Sequence, residues 1–128
     1  MGQIVRASCL ECDERFEMTS GGGFTFHLLR CDTCGRTTAI SFAALGDLHL
    51  RYLKGLSGPY CLATAEHDER VRTNSDIVPI STEEYHRRVE ERVGQCRCGG
   101  RYRFSAPARC PKCRATHLRE EVVVLNYD

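Results

Sequence analysis

The chain lacks an excess of charge of either sign: Lys and Arg number 18 against 17 Asp and Glu, a formal net charge of +1. That balance excludes a protein that is basic overall and binds nucleic acid by bulk attraction. It lacks an apolar run near the ~20 residues a membrane helix needs. Its opening, Met1-Gly2-Gln3-Ile4-Val5-Arg6, has no apolar stretch of the signal-peptide kind and misses the myristoylation pattern at Arg6. The expectation is a cytoplasmic, reducing compartment. Tryptophan is absent altogether. Catalytic patterns are missing too: no Ser/His/Asp arrangement, no paired carboxylates, and five histidines scattered along the chain. The expectation is a protein that is not an enzyme.

What the chain has in plenty is cysteine, nine in 128 residues. Cys9 and Cys12 form a C-x2-C pair, as do Cys31 and Cys34, and Cys110 and Cys113; Cys96 and Cys98 form a C-x-C pair. Thiolates so spaced on a tight turn take neighbouring vertices of a tetrahedron, with Zn–S near ~2.3 Å. The first two pairs are separated by 18 residues and the last two by 11, which is zinc-ribbon spacing. Disulfides are disfavoured by a reducing compartment. The spacing therefore predicts two structural zinc ions per chain. One site is expected from Cys9, Cys12, Cys31 and Cys34 and the other from Cys96, Cys98, Cys110 and Cys113, each closed by its own hairpin. Four thiolates leave no open position for water, which excludes catalytic zinc. Cys61 stands apart and reads as a small hydrophobic residue rather than a ligand.

The fold class expected is small α+β, stabilised by metal: two four-cysteine zinc-ribbon β-hairpin modules joined by a two-helix middle segment. Residues 1–38 read as the first ribbon, with Phe16 and Met18 on one strand, Phe24, Phe26 and Leu28 on the next, and the turn at Ser20-Gly21-Gly22-Gly23. Residues 39–93 read as a helical linker region. Its first helix, about 40–57, carries Leu45, Leu48, Tyr52 and Leu56 on one face. Residues 63–80 read as an exposed polar linker. A second helix at 82–93 is announced by the capping box Ser81 to Glu84, by Tyr85, Val89 and Val93 at i+4 steps, and by Gly94 beyond its end. Residues 94–128 read as the second ribbon plus a terminal strand, the β-branched run from Glu121 to Tyr127.

The knuckles Cys31-Asp32-Thr33-Cys34-Gly35 and Cys110-Pro111-Lys112-Cys113 resemble those of rubredoxin-type zinc ribbons. Cys96-Arg97-Cys98-Gly99-Gly100-Arg101-Tyr102-Arg103-Phe104 is similar to the terminal ribbon of small bacterial proteins of uncharacterised function carrying two such ribbons. The resemblance implies metal binding and the local ribbon fold, and ribbons serve many unrelated roles.

Two functional expectations follow. The broad apolar surface of 45–56 and the two-faced strand 122–125 suggest a non-enzymatic adaptor that binds a protein partner or a second copy of itself. The alternative is a nucleic-acid-binding or transcription-associated protein. Residues 94–119 hold seven cations and no carboxylate, and Arg97, Arg101, Tyr102, Arg103, Phe104, Arg109 and Lys112 interleave guanidinium groups with aromatic rings.

Overall fold

The computed structural model describes residues 2–128. Six strands form two antiparallel sheets of three strands each. The first has the order β2-β1-β6, with β1 at Gly2–Cys9, β2 at Arg15–Ser20 and β6 at Leu118–Tyr127. The second has the order β4-β3-β5, from β3 at Phe26–Cys31, β4 at Thr37–Ser41 and β5 at Tyr102–Arg103. The N- and C-terminal segments thus share a sheet. The expected division into a ribbon at 1–38 and another at 94–128 is replaced by two interleaved units.

The glycine-rich stretch does not close a hairpin. β2 returns along β1, Phe16 facing Ala7 and Met18 facing Val5, and the chain then crosses at 21–25 into the other sheet. Alternation on both sides of the glycines reflects two different sheets, each with its own buried face. In β1 that face is Val5, Ala7 and Cys9. β6 lies on the far side of β1, with register shifts between Ile4 and Val5 and between Arg6 and Ala7.

Four helices cover the second sheet's side of the molecule. The expected helix at 40–57 is shorter and broken: residues to Ser41 belong to β4, α1 spans Phe42–Leu45, and α2 spans Asp47–Gly55. Gly46, at φ +56°, ends one and begins the other. Ser41 caps α1, its Oγ accepting from the Ala44 N–H at 3.1 Å. The stretch expected to be linker contains a 3-10 turn at Leu62–Thr64 and a helix, α3, at Ala65–Thr73. α3 has almost no apolar periodicity. It holds through Val71 and the buried Asp68, through acids in its first turn and Arg70 and Arg72 in its last, and through Lys54, whose Nζ donates to the Arg72 and Asn74 carbonyls. α4 spans Thr82–Val93 as expected, with Ser81 Oγ accepting from the Glu84 N–H at 3.2 Å.

The core is Leu29 of β3 packed on Leu45, Leu48, Ile80, Tyr85 and Val89, with Ile40, Tyr52, Val93, Tyr102 and Phe104 around it. Leu45, Leu48, Tyr52 and Leu53 of the stretch 45–56 are therefore turned inward, while Leu50 and Leu56 stay half-buried. At its centre Tyr85, with no exposed surface, places its hydroxyl 2.8 Å from His27 Nε2 and 2.9 Å from His49 Nδ1. One hydroxyl can donate to one ring and accept from the other, which pairs three buried polar groups at once.

Candidate metal centres

Four short cysteine turns share one backbone design. The amide of the first cysteine donates to a carbonyl beyond the second: Cys9 to Glu14, Cys31 to Arg36, Cys110 to Ala115, and Cys96 to Gly100. The residue after the second cysteine donates back to the first cysteine's carbonyl: Asp13 to Cys9, Gly35 to Cys31, Arg114 to Cys110, and Gly99 to Cys96. All four of those residues have positive φ: Asp13 62°, Gly35 79°, Gly99 93° and Arg114 63°. The C-x-C pair is the same turn with one residue removed.

The turns meet in an order opposite to the one expected. Cys9, Cys12, Cys110 and Cys113 form one group, and Cys31, Cys34, Cys96 and Cys98 form the other. The first pair joins the fourth and the second joins the third, so one group is nested inside the other. The physical reason is strand pairing. β6, which follows the last turn, runs beside β1 and puts Leu118 opposite Cys9, and Leu10 donates to the His117 carbonyl at 2.9 Å. β5, which follows the third turn, runs beside β3 and puts Tyr102 opposite Cys31. Loop-closure cost grows only logarithmically, about 1 kcal/mol for the longer span, so these ladders decide the partners.

In each group the sulfurs lie within 4.8 Å of one another. Cys9 and Cys113 are 3.5 Å apart and Cys12 and Cys110 3.6 Å; Cys31 and Cys98 are 3.4 Å apart and Cys34 and Cys96 3.6 Å. A tetrahedron with bonds of ~2.3 Å has sulfur–sulfur edges of about 3.8 Å, so the donor sets fit a single cation. Backbone N–H groups point at the sulfurs: Glu11 at Cys9, Thr33 and Cys34 at Cys31, Gly100 at Cys98, and Lys112 at Cys110, at 3.4 to 3.5 Å. Such donors favour thiolate. The Cys98 amide and the Tyr102 hydroxyl draw Cys96 down to about 6. Burial raises the Cys110 thiol, but the amides of Cys113 and Lys112 outweigh it and bring it to about 7. Cys34 is pushed up to about 11 by burial and by the three neighbouring thiols, against the Arg36 amide. Neighbouring thiols that resist ionising together are what a divalent cation reconciles.

The two groups are braced against each other through Asp32. Its amide donates to the Arg101 carbonyl and its carboxylate accepts from the Arg101 amide at 3.0 Å; Arg109, next to Cys110, donates from Nε to the Asp32 carbonyl at 3.1 Å. The Arg101 amide, the Thr33 hydroxyl, and Arg103 and Arg109 hold the Asp32 carboxyl below its ordinary value. Gly100 admits the inner closure, since a Cβ there would lie 2.7 Å from Cys31 Sγ.

Cys61 lies outside both groups, with Sγ 3.3 Å from Thr64 Oγ1. The residues expected to touch nucleic acid are divided. Phe104 stacks on His86 at 4.1 Å, and Tyr102 packs against the core beside Cys96, both rings half-buried. Arg103 pairs with Glu90 at 3.3 Å and Asp32 at 3.8 Å. Arg101 and Lys112 are exposed, while Arg97 and Arg109 line a cleft that also takes in Arg30, Arg36 and Arg114. Arg114 lies far along the sequence from Arg30 and Arg36, and only the fold, which sets the last turn beside β3 and the turn after it, brings the three together. Among the described residues no helix is long and apolar enough to cross a membrane.

The chain belongs to the family described as a domain of unknown function (DUF8255), whose model matches residues 5–119 and so takes in both four-cysteine groups. No curated protein and no solved structure matches it.

Proposed function

We propose that this member of the DUF8255 family is a non-enzymatic adaptor, with a structural zinc ion in each four-cysteine group and strand β6 as the surface that takes a protein partner. All-sulfur donor sets select soft or borderline cations, and four-coordinate thiolate suits zinc and leaves no position for a substrate. The ions would hold the two sheets in place and supply no reactive centre.

The observation that carries the adaptor reading is the outer edge of β6. Among the described residues that edge pairs with no strand, and Val122, Val123, Val124 and Leu125 are exposed by 44 to 53% on both faces. A long, apolar, unpaired edge is a template for an added strand. A partner's extended segment laid along it would extend the sheet to four strands and cover these side chains. The test compares wild type with Val122→Lys/Val124→Lys by crosslinking and affinity capture, with light scattering to report self-association. A specific protein captured by wild type and lost in the variant supports the reading. A wild-type protein that captures nothing the variant does not, and stays monomeric, removes it. Metal analysis giving two zinc per chain is the companion result. The basic cleft, rather than the half-buried Tyr102 and Phe104, is what favours the second reading, a nucleic-acid role.

A further inference from the structure

We infer that the arginine-lined cleft between the two four-cysteine groups binds the phosphodiester backbone of single-stranded nucleic acid. The cleft has a volume of about 480 Å³. Its walls come from β2, from Arg30 of β3, from the turn at 34–37, from the turn at 96–98 and from residues 108–114, so it exists only because the two groups are nested.

Five guanidinium groups line it: Arg30, Arg36, Arg97, Arg109 and Arg114. Among the described residues none of the five is ion-paired with a carboxylate. The one acid on the wall, Glu17, already faces Arg6 at 4.0 Å. Arg30 and Arg109 are half-buried and spend donors on backbone carbonyls, of Thr19 for the one and of Asp32 and Arg114 for the other, which fixes their heads in place. Arg36, Arg97 and Arg114 are exposed and hold no partner of that kind. Cys34, Cys96 and Cys98 also border the cleft, and a zinc with four thiolates contributes −2. With Glu17 counted as well, about two net positive charges remain.

Unpaired arginines gathered in a concave site are the recognised chemistry for phosphate, through bidentate forks. Their number and spread favour a ligand with several spaced phosphates, since one phosphate cannot satisfy guanidinium groups on four separate segments. The volume falls in the range of small-ligand sites, far below what a duplex would occupy, so one strand entering over one or two nucleotides fits. Half-buried Phe16 and Met18 on the β2 wall give the bases an apolar face. The whole chain, near −3 with both zinc sites filled, gives no long-range attraction, so the interaction is local and strongly salt-dependent. The assignment is independent of β6 and of any protein partner.

The experiment is fluorescence anisotropy of zinc-loaded protein with a labelled ten-nucleotide oligo(dT) and oligo(U), from about 30 to 300 mM salt. Arg36→Glu/Arg97→Glu is the cleft variant. Arg70→Glu/Arg119→Glu carries the same charge change on exposed residues that do not line the cleft. Metal content and circular dichroism establish that both variants are folded. The expected result is at least about a tenfold loss for the cleft variant against less than about threefold for the control. The log-log salt slope should fall by about 1.4, two single-strand contacts. Absence of binding by wild type at the lowest salt overturns the assignment, and so does an equal loss in the two variants. Pyrophosphate that displaces the oligonucleotide stoichiometrically, at concentrations comparable to the oligonucleotide's own, also overturns it, identifying a small-anion site instead.

Discussion

The sulfurs of Cys9 and Cys113 lie 3.5 Å apart although the two residues stand 104 positions apart in the sequence. That contact fastens the first strand to the last, and everything between is enclosed by it. Replacing Cys110 and Cys113 by Ser is expected to lower metal content from two ions per chain to one. Protection against hydrogen exchange should disappear together in β1 and β6, while β3 and β4 remain protected. A structural site of this kind is worth on the order of 10 kcal/mol, so the loss in the outer sheet should be complete rather than graded. Loss of both ions would show that the inner group cannot stand alone.

Gly100 lies against Cys31 and Thr33 with no room for a Cβ. Gly100→Ala should displace the inner turns and weaken metal binding there by at least about tenfold, in line with the effect of altering groups around a metal site. Competition with a chromophoric chelator, which should strip one ion before the other, measures it. Equal retention of the two ions would refute the close approach.

Tyr85→Phe removes the one group that satisfies both His27 Nε2 and His49 Nδ1. Two buried ring nitrogens left without partners cost about 1–3 kcal/mol each before relaxation. The expected outcome is a loss of roughly 2–4 kcal/mol in chemical denaturation, with secondary structure and metal content retained.

The same two histidines set an acid limit. Burial is the main cause that lowers His27 to about 4, with His49 and His86 adding to it. Burial also lowers His49 to about 4, with His67 adding and Asp68 opposing. In the unfolded chain both take up protons near their ordinary value of about 6.5. Between those values the unfolded state binds more protons, so stability falls as pH falls from about 6.5 toward 4 and is fully present above that window. Denaturation midpoints of wild type and a His27→Gln/His49→Gln variant, compared at pH 7 and 5, should show a steeper decline for wild type.

Arg114 and Asp13 occupy the left-handed positions that Gly35 and Gly99 take in the other two turns. An L-residue in that conformation is strained by roughly 1 kcal/mol. Asp13→Gly should therefore raise stability slightly, by a few tenths to about 1 kcal/mol once the extra freedom of the unfolded chain is counted. Thermal melts at fixed zinc concentration give the sign.

The eight sulfurs of the two groups were legible in the spacing, because a C-x2-C turn is local and carries its own geometry. Their partition was not. It is settled by β1 meeting β6 and β3 meeting β5, and alternation such as Phe16-Glu17-Met18 names a buried face without naming the strand beside it. Helix 82–93 was fully written in Ser81, Glu84, Tyr85, Val89 and Gly94. Helix 65–73 was not, because Val71 alone gives no period and Asp68 is buried for hydrogen bonds to the Tyr60 amide and the Thr64 hydroxyl. Its one available sign was acids at the start and arginines at the end. The cleft could not be seen at all, since Arg30 and Arg114 are neighbours only after folding.

Nesting also fixes an order of assembly on the ribosome. The inner cysteine group is complete once residue 98 has emerged, and its third strand once residue 103 has. The outer group must wait for Cys110 and Cys113, and β1 waits longer still for β6. Strand β1 can pair with β2 early, but its other neighbour, β6, emerges late, and Cys9 and Cys12 wait as a bare pair of thiols until Cys110 and Cys113 follow.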